Sequence, residues 1–207
     1  MFSKFLNIDS EKQERIINAA SKEFAQKGYD NASTNEIVKE AGISKGLLFH
    51  YFNNKKGLYL FLYDYLQEMF LEKIYAKINW NQKDLFIRYR EITLLKFELF
   101  KSYPETINFI KVAYFEDSKE VKSDLERRHN ELVASSYHKL FTDFDHSLFK
   151  EGIDINKAVQ LIYWGMEGFA NQQQEKHQAL STDQINPDEV LMEMDSYSEM
   201  LRDAFYK

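Results

Sequence analysis

The stretch Ile43–Tyr59 reads ISKGLLFHYFNNKKGLY and decides how the whole chain is interpreted. Its first half predicts a short helix whose buried side carries Leu48 and Phe52, four residues apart. At 100° per residue, Gly46 and His50 then point outward, with large apolar side chains on both flanks. A surface helix that presents such residues to solvent indicates a surface that binds something.

Local signals predict a helix on each side of this stretch. Ser10 with Gln13 has the spacing of a capping box, and Gly28 has the position of a helix stop. Ser33 with Glu36 is a second capping box, which opens a short helix.

The turn between the second and third helices is the next feature. Gly42 ends the second helix, Ser44 caps the third, and Asn54 caps a fourth that begins at Lys55 and runs to about Asn79. Two helices joined by a tight glycine turn, with a longer helix in front, form a helix-turn-helix motif. The second helix of that motif enters the DNA major groove.

The rest of the chain also has helical periodicity. Pro104 and Pro187 occupy first-turn positions, and no segment alternates with period two. We therefore predict an all-α fold, with an N-terminal three-helix helix-turn-helix head at residues 1–58 and a larger C-terminal helical ligand-binding and dimerisation body at 59–207. The periodic segments of the body are 83–102, 104–115, 117–149, 154–179 and 187–206.

The amino-acid composition limits the class of protein to which the chain can belong. The chain has 207 residues, 44% of them apolar, and no cysteine. The longest apolar run, Leu58–Tyr63, is far shorter than the ~20 residues that span a bilayer. The first twenty residues lack the apolar run of a signal peptide. These features predict a soluble cytoplasmic protein without a membrane partner.

Charge is distributed unevenly. The net charge is −6, but residues 1–56 carry nine Lys and Arg against seven Asp and Glu. Residues 41–63 contain three lysines and no acid. Local positive potential, rather than the average charge, governs contact with phosphates, so the composition does not exclude DNA binding.

At residues 10–60 the chain resembles the TetR family of one-component bacterial transcription regulators. The resemblance rests on residue type and on spacing together. The matching residues are Ile17, Ala20, Phe24, Gly28, Tyr29, Ser33, Thr34, Ile37, Ala41, Gly42, Ile43, Ser44, Tyr51, Phe52, Lys55 and Leu58.

The resemblance implies an all-helical homodimer with two DNA-binding heads and a body that binds a small molecule. We therefore expect a ligand-responsive regulator, most simply a repressor that binds a palindromic double-stranded DNA operator as a homodimer. A small, mainly apolar effector would release it. An activator, and a partner-binding regulator whose body recognises another protein, remain open alternatives.

The head offers several chemical groups for DNA. Hydroxyls and free backbone N–H groups at helix starts bind phosphates, lysine donates to guanine, and an apolar side chain contacts a thymine methyl. Phe49 stands where the family often has tyrosine, so we expect it to pack on sugar or base. The predicted DNA-binding residues are Ser33, Thr34, Ser44, Lys45, Gly46, Leu47, Phe49, His50, Tyr51 and Lys55.

The body offers two kinds of candidate surface. Residues 158–170 are apolar nearly all round, and the last helix has an apolar stripe suited to a partner helix. The predicted dimer-interface residues are Ala158, Gly165, Gly168, Met194, Tyr197 and Leu201. The predicted pocket residues are Phe97, Phe100, Phe109, Tyr114, Phe141, Tyr163, Trp164 and Glu167, with Glu167 as a possible match for a cationic ligand.

An enzymatic reading has little support. Glu126 and His129 have the spacing of a di-metal carboxylate site, and Asp143 with His146 is similar, but both pairs fall in one predicted helix and cannot face each other. No nucleophile elbow, phosphate loop or Cys/His metal spacing is present. We predict no catalytic residue, no metal and no cofactor.

Overall fold

The computed structural model describes residues 3–180 and 184–207, and this part of the chain is helical. Its only extended pairing is a single bridge between Phe149 and Tyr206, so the expected all-α fold is confirmed. The helices are α1 Ser3–Leu6, α2 Ser10–Asn31, α3 Thr34–Ala41, α4 Lys45–Phe52, α5 Lys55–Lys77, α6 Leu85–Ser102, α7 Pro104–Tyr114, α8 Lys122–Leu140, α9 Ile155–Lys176 and α10 Pro187–Phe205, with a 3₁₀ turn at His146–Leu148.

The predicted caps of α4 and α5 are confirmed. The Ser44 hydroxyl accepts a hydrogen bond from the Leu47 N–H at 3.2 Å, and the side-chain amide oxygen of Asn54 accepts one from the Gly57 N–H at 2.7 Å. Gly42, at φ 66° and ψ 39°, has the left-handed conformation expected of a C-cap.

The two predicted capping boxes are wrong in detail. The N-cap of α2 is Asp9, whose carboxylate accepts from the Lys12 N–H at 3.1 Å, because the helix starts one residue earlier than the box requires. Ser33 makes no side-chain cap bond to α3. Its backbone N–H donates instead to the Glu23 carboxylate at 2.8 Å, which holds the turn between α2 and α3.

The helix predicted over 117–149 is shorter than expected. It ends at Leu140, because the guanidinium of Arg88 donates to the Leu140 carbonyl at 2.8 Å and to the Asp143 carbonyl at 2.5 Å. Arg88 is buried and also donates to the Gln82 carbonyl. One side chain thus joins the turn after α8 to the turn before α6.

Contacts group the described chain into two compact units. The first contains residues 1–72 and 103–133, and the second contains 73–102 and 134–207. The predicted domain boundary at residue 58 separates the DNA-binding head from the ligand-binding body by function, and it stays a prediction.

In the first unit, α2 packs against α3 and α7. The Tyr59 ring lies 4.8 Å from the Phe24 ring and 5.4 Å from the Phe109 ring, and all three side chains are buried. The head core therefore includes an aromatic side chain from α7.

In the second unit, α10 packs against α9 and α6. Tyr206 follows α10, and its ring contacts the Phe86 ring at 5.1 Å and the Phe149 ring at 4.8 Å. The chain terminus is thus part of this core. None of the helices described has the length and low charge needed to cross a bilayer.

Candidate nucleic-acid interface and effector-binding body

The short helix α4 has one buried edge and one open edge. Leu48 is 0% exposed and Phe52 is 1% exposed, as the spacing predicted. A Cβ added to Gly46 would meet nothing within 4 Å, so its backbone is open to close approach. The exposed residues of this edge are Ser44, Lys45, Gly46 and His50.

The flanks of α4 are shared between the core and the surface. Leu47 and Phe49 are half-buried and pack against the head core. The Lys45 ammonium lies 5.8 Å from the centre of the Phe49 ring. Phe49 therefore packs partly against the head core and partly near the Lys45 ammonium. Less of its ring is then available to contact a sugar or a base.

Tyr51 is more buried than its proposed DNA contact requires. It is 9% exposed, and its ring packs edge-on against Phe5 at 5.7 Å and Phe52 at 6.1 Å. The helix α1 brings Phe5 into the core beside α4, which the sequence reasoning missed because no periodic pattern marks a four-residue helix. Only the hydroxyl end of Tyr51 remains for a phosphate.

Two of the three lysines in the acid-free stretch have partners within the first unit. Lys55 donates to the Asp30 carbonyl at 3.0 Å and lies 4.8 Å from the centre of the Tyr29 ring. Lys56 pairs with Asp124 at 2.8 Å. The predicted grip of Lys55 on a phosphate therefore competes with contacts inside the head.

The start of α3 is less open than the start of α4. Ser33 and Thr34 are both half-buried. Thr34 is the first residue of α3, so the N–H groups of that first turn lie beside it. A phosphate contact at this helix start stays a prediction.

A polar network holds the end of α2 to the segment between α7 and α8. Gly28 interrupts α2 with φ 67° and ψ 178°, which leaves the next backbone N–H outside the helical pattern. That N–H, of Tyr29, donates to the Glu116 carboxylate at 2.8 Å. The Ser118 hydroxyl is 2.7 Å from the Asp30 carboxylate. Sequence reasoning missed this network because its partners are almost ninety residues apart.

The second unit contains a cluster of aromatic side chains around one carboxylate. The Tyr163 ring lies 4.4 Å from the Tyr137 ring and 5.6 Å from the Phe141 ring. Burial, followed by a hydrogen bond to Glu167, raises the pKa of Tyr163 well above its usual range. Burial also raises the pKa of Tyr89 to about 12. Glu167 is therefore occupied by a tyrosine hydroxyl in this structure.

The predicted pocket residues are divided between the two units. Phe97 and Phe100 contact each other at 5.7 Å in the second unit, whereas Tyr114 lies in the first unit against His129 at 5.3 Å. Phe109 is fully buried in the core of the first unit, and Trp164 is 58% exposed on α9. The assignment of both to a pocket stays a prediction.

The two sequence pairs considered for metal binding are also separated. His129 packs on a tyrosine in α8, while Asp143 and His146 lie beyond the end of that helix. Among the residues described, no group of three or more His, Cys, Asp or Glu side chains is placed to hold a metal ion.

The exposed large apolar side chains of α9 and α10 include only Tyr197 of the residues predicted for the dimer. Ala158 and Met194 are buried within their own unit, where α9 and α10 pack together, and the dimer interface stays a prediction. Gly165 and Gly168 are exposed, Tyr197 is exposed, and Leu201 is half-buried with its side chain close to Gly165. The large exposed apolar residues of these helices are Leu161, Trp164, Met192, Tyr197 and Met200.

Comparison with known proteins agrees with the helix-turn-helix geometry. Residues 16–61 match the family of bacterial regulatory proteins described as the tetR family. The HTH-type transcriptional regulator YuxN of Bacillus subtilis is 43% identical over 68 residues, which are 33% of this chain and 22% of YuxN. The chain thus spans about a fifth of that relative's length.

Two further similarities cover most of the chain. The HTH-type transcriptional regulator PksA of Bacillus subtilis is 26% identical over 190 residues, which are 88% of this chain and 86% of PksA. The crystal structure of the transcriptional regulator FadR from Bacillus subtilis, in complex with stearoyl-CoA, has the same fold. Its TM-score is 0.61 at 19% identity, over 91% of this chain and 96% of FadR.

The helix-turn-helix head therefore matches the tetR family of bacterial regulatory proteins at residues 16–61, and the described chain shares the fold of solved transcriptional regulators.

Proposed function

We propose that this regulator is a ligand-responsive repressor that binds a palindromic operator as a homodimer and is released by a small, mainly apolar effector. The observation that carries the proposal is the division of α4 into a fully buried edge and an open edge. Leu48 and Phe52 fix the helix in the head, while Lys45, Gly46 and His50 remain outside the packing.

The groups on the open edge of α4 can both position the head on DNA and recognise its base sequence. The N–H groups of its first turn, next to Ser44, bind a phosphate, which sets the register of the head on the duplex. Gly46 lets the backbone approach the groove closely. Lys45 donates to guanine O6 and N7, which supplies base recognition.

The exposed apolar side chains of α9 and α10 support a homodimer. Five large apolar residues are exposed on two helices that pack together, which is more than single scattered side chains would explain. Two copies of such a helix pair bury these side chains against each other in an isologous four-helix contact. A palindromic operator then matches the twofold symmetry of the protein.

The network around Glu116 supports release by an effector. It connects the end of α2 with the segment after α7, so movement of α7 would be transmitted to the head. The effector must bind one arrangement of the body more tightly than the other, since only differential affinity shifts the population. FadR, which shares the fold, was crystallised with stearoyl-CoA, and this favours an effector with a large apolar part.

The test begins with selection of binding sites from random duplexes. We expect a palindrome whose half-site centres are about 34–36 Å apart, or a multiple of that distance. Trp164→Glu should give a monomer in sedimentation and lose most operator binding. Ile87→Glu changes an exposed apolar residue on α6 and serves as the control, with dimer and binding unchanged.

Three results would contradict the proposal. They are recovery of no preferred sequence, a wild-type monomer on the operator, and a Trp164→Glu dimer with full affinity. A reporter gene downstream of the selected operator measures the sign of regulation, and we expect expression to fall when the protein is present.

A further inference from the structure

The side chain of Phe5 lies between two helices of the head. It is 0% exposed, although Leu6 beside it in α1 is 50% exposed. Its ring lies 5.7 Å from the Tyr51 ring and 4.8 Å from the Phe52 ring, both in α4. It also lies 5.2 Å from the Phe61 ring in α5. A single side chain of α1 thus contacts both α4 and the helix that follows it.

The orientation of α4 depends on such contacts because the helix is short. It has eight residues, Lys45–Phe52, which is fewer than the ~12–15 below which an isolated helix is marginal in water. Tyr51 and Phe52 are consecutive, so their side chains point about 100° apart around the helix axis. A ring that packs against both of them resists rotation of α4 in either direction.

Ring contacts lead from Phe5 to the open edge of α4. The Phe5 ring packs edge-on against Tyr51, and the Tyr51 ring packs edge-on against His50 at 5.8 Å. His50 is exposed and is one of the predicted DNA-binding residues. The core therefore supports an exposed group of this edge through Tyr51.

Gln13 holds the segment that carries Phe5 against α2. Its side-chain amide donates to the Leu6 carbonyl at 3.1 Å and to the Ile8 carbonyl at 2.8 Å. The backbone N–H of Ile8 donates in turn to the Phe5 carbonyl at 3.3 Å. A four-residue helix is too short to keep its own shape, so these bonds and the buried ring place α1 beside α4.

We propose that Phe5 is a positioning residue for DNA recognition: it fixes the rotation of α4 and so controls how strongly the regulator prefers its operator over other DNA. This inference rests on the proposed binding of DNA by α4. Non-specific binding depends mainly on charge, whereas base recognition depends on accurate placement of side chains in the groove. Loss of the Phe5 ring therefore lowers specific binding more than non-specific binding.

The test measures the affinities of the full-length protein and its variants by fluorescence anisotropy, on the selected operator and on a random duplex of the same length. Phe5→Leu keeps an apolar side chain but removes the ring. We expect the ratio of operator affinity to random-duplex affinity to fall about tenfold, roughly the contribution of one base contact. Phe5→Ala should lower this ratio further.

Two control variants separate positioning from stability. Phe24→Leu makes the same change in the same core, but the Phe24 ring packs against Tyr29, Tyr59 and Phe109, which lie outside α4. Unfolded protein binds neither duplex, so any loss of affinity in Phe24→Leu should be proportional on both. Leu6→Ala alters the exposed neighbour of Phe5 and should behave as wild type.

Hydrogen exchange without DNA provides a second measurement. In Phe5→Leu, exchange of the α4 amides at residues 48–52 should accelerate about tenfold relative to the α2 amides at residues 16–24, because α4 is released locally. Phe24→Leu should give no such acceleration of α4 over α2.

The inference is overturned if Phe5→Leu lowers both affinities in the same proportion, or if exchange in α4 and α2 rises equally. If selection recovers no preferred sequence, the proposed function fails, and the exchange ratio alone decides whether Phe5 fixes α4. If an operator is selected and the Phe5 variants keep full preference for it, only this inference fails.

Discussion

The Glu116 carboxylate accepts a hydrogen bond from the backbone N–H of Tyr29 at 2.8 Å, across 87 residues of sequence. The same carboxylate accepts from the Ser118 N–H at 3.0 Å. It therefore satisfies two backbone donors, one at the end of α2 and one between α7 and α8. The contact connects the DNA-binding head to the helix that follows it in the same unit.

Replacement of Glu116 tests this connection. Glu116→Ala leaves both N–H groups without their acceptor, so the free energy of unfolding should fall by about 1–3 kcal/mol in urea titrations. Asp117→Ala is the control, because Asp117 pairs with Lys122 at the exposed surface and should change stability by less than about 0.5 kcal/mol. Equal losses for the two variants would show that Glu116 has no special role.

Replacement by alanine should change the free energy of unfolding in opposite directions at Gly46 and at Gly57. A Cβ on Gly57 would lie 2.1 Å from the Phe52 carbonyl oxygen, so Gly57→Ala should lower the free energy of unfolding by about 1–3 kcal/mol. Gly46 is helical and open, so Gly46→Ala should raise it by up to about 1 kcal/mol.

Operator binding separates the two glycines further. Gly46→Ala should weaken binding in fluorescence anisotropy despite the gain in stability, since the added methyl group stands between the backbone and the duplex. Unchanged affinity would mean that α4 does not approach the groove through Gly46.

We expect the buried cation Arg88 to stabilise the fold strongly through its hydrogen bonds to backbone carbonyls. Arg88→Met removes its bonds to the carbonyls of Gln82, Leu140 and Asp143, so the free energy of unfolding should fall by about 3 kcal/mol or more. Arg90→Met breaks an exposed pair with Asp195 and should cost less than about 1 kcal/mol. A smaller effect of Arg88→Met than of Arg90→Met would contradict this account.

Lys45 and Lys55 should differ in binding experiments. Lys45→Ala should weaken operator binding by about 1–3 kcal/mol and relax preference at one base pair, because we propose that its ammonium donates to a base. Lys55→Ala should weaken all sequences alike and reduce the salt slope by about one if its side chain leaves Asp30 for a phosphate. Salt titrations that show no change in slope would assign Lys55 to the contact with Asp30.

Several features of this protein could be predicted from sequence because they are local. The cap of α4 at Ser44, the stop at Gly42 and the buried pair Leu48 and Phe52 all depend on residues within four positions of each other. Local hydrogen bonds and the helical repeat decide them without help from distant parts of the chain. The helix-turn-helix motif follows from these same signals.

Other features depend on which neighbour a helix face meets. Met194 in the apolar stripe of α10 packs within its own unit, whereas Tyr197 in the same stripe is exposed together with Met192 and Met200. Periodicity defines the faces of a helix and does not identify the surface against which each face packs.

The sequence by itself therefore determined most of the helices and the helix-turn-helix motif. The tertiary structure decided that Tyr51 and Phe109 belong to the core, that Lys55 contacts Asp30, and that Glu116 holds Tyr29. The physical reason is distance along the chain: helix signals act over one turn, whereas packing brings together groups whose separation no local pattern records.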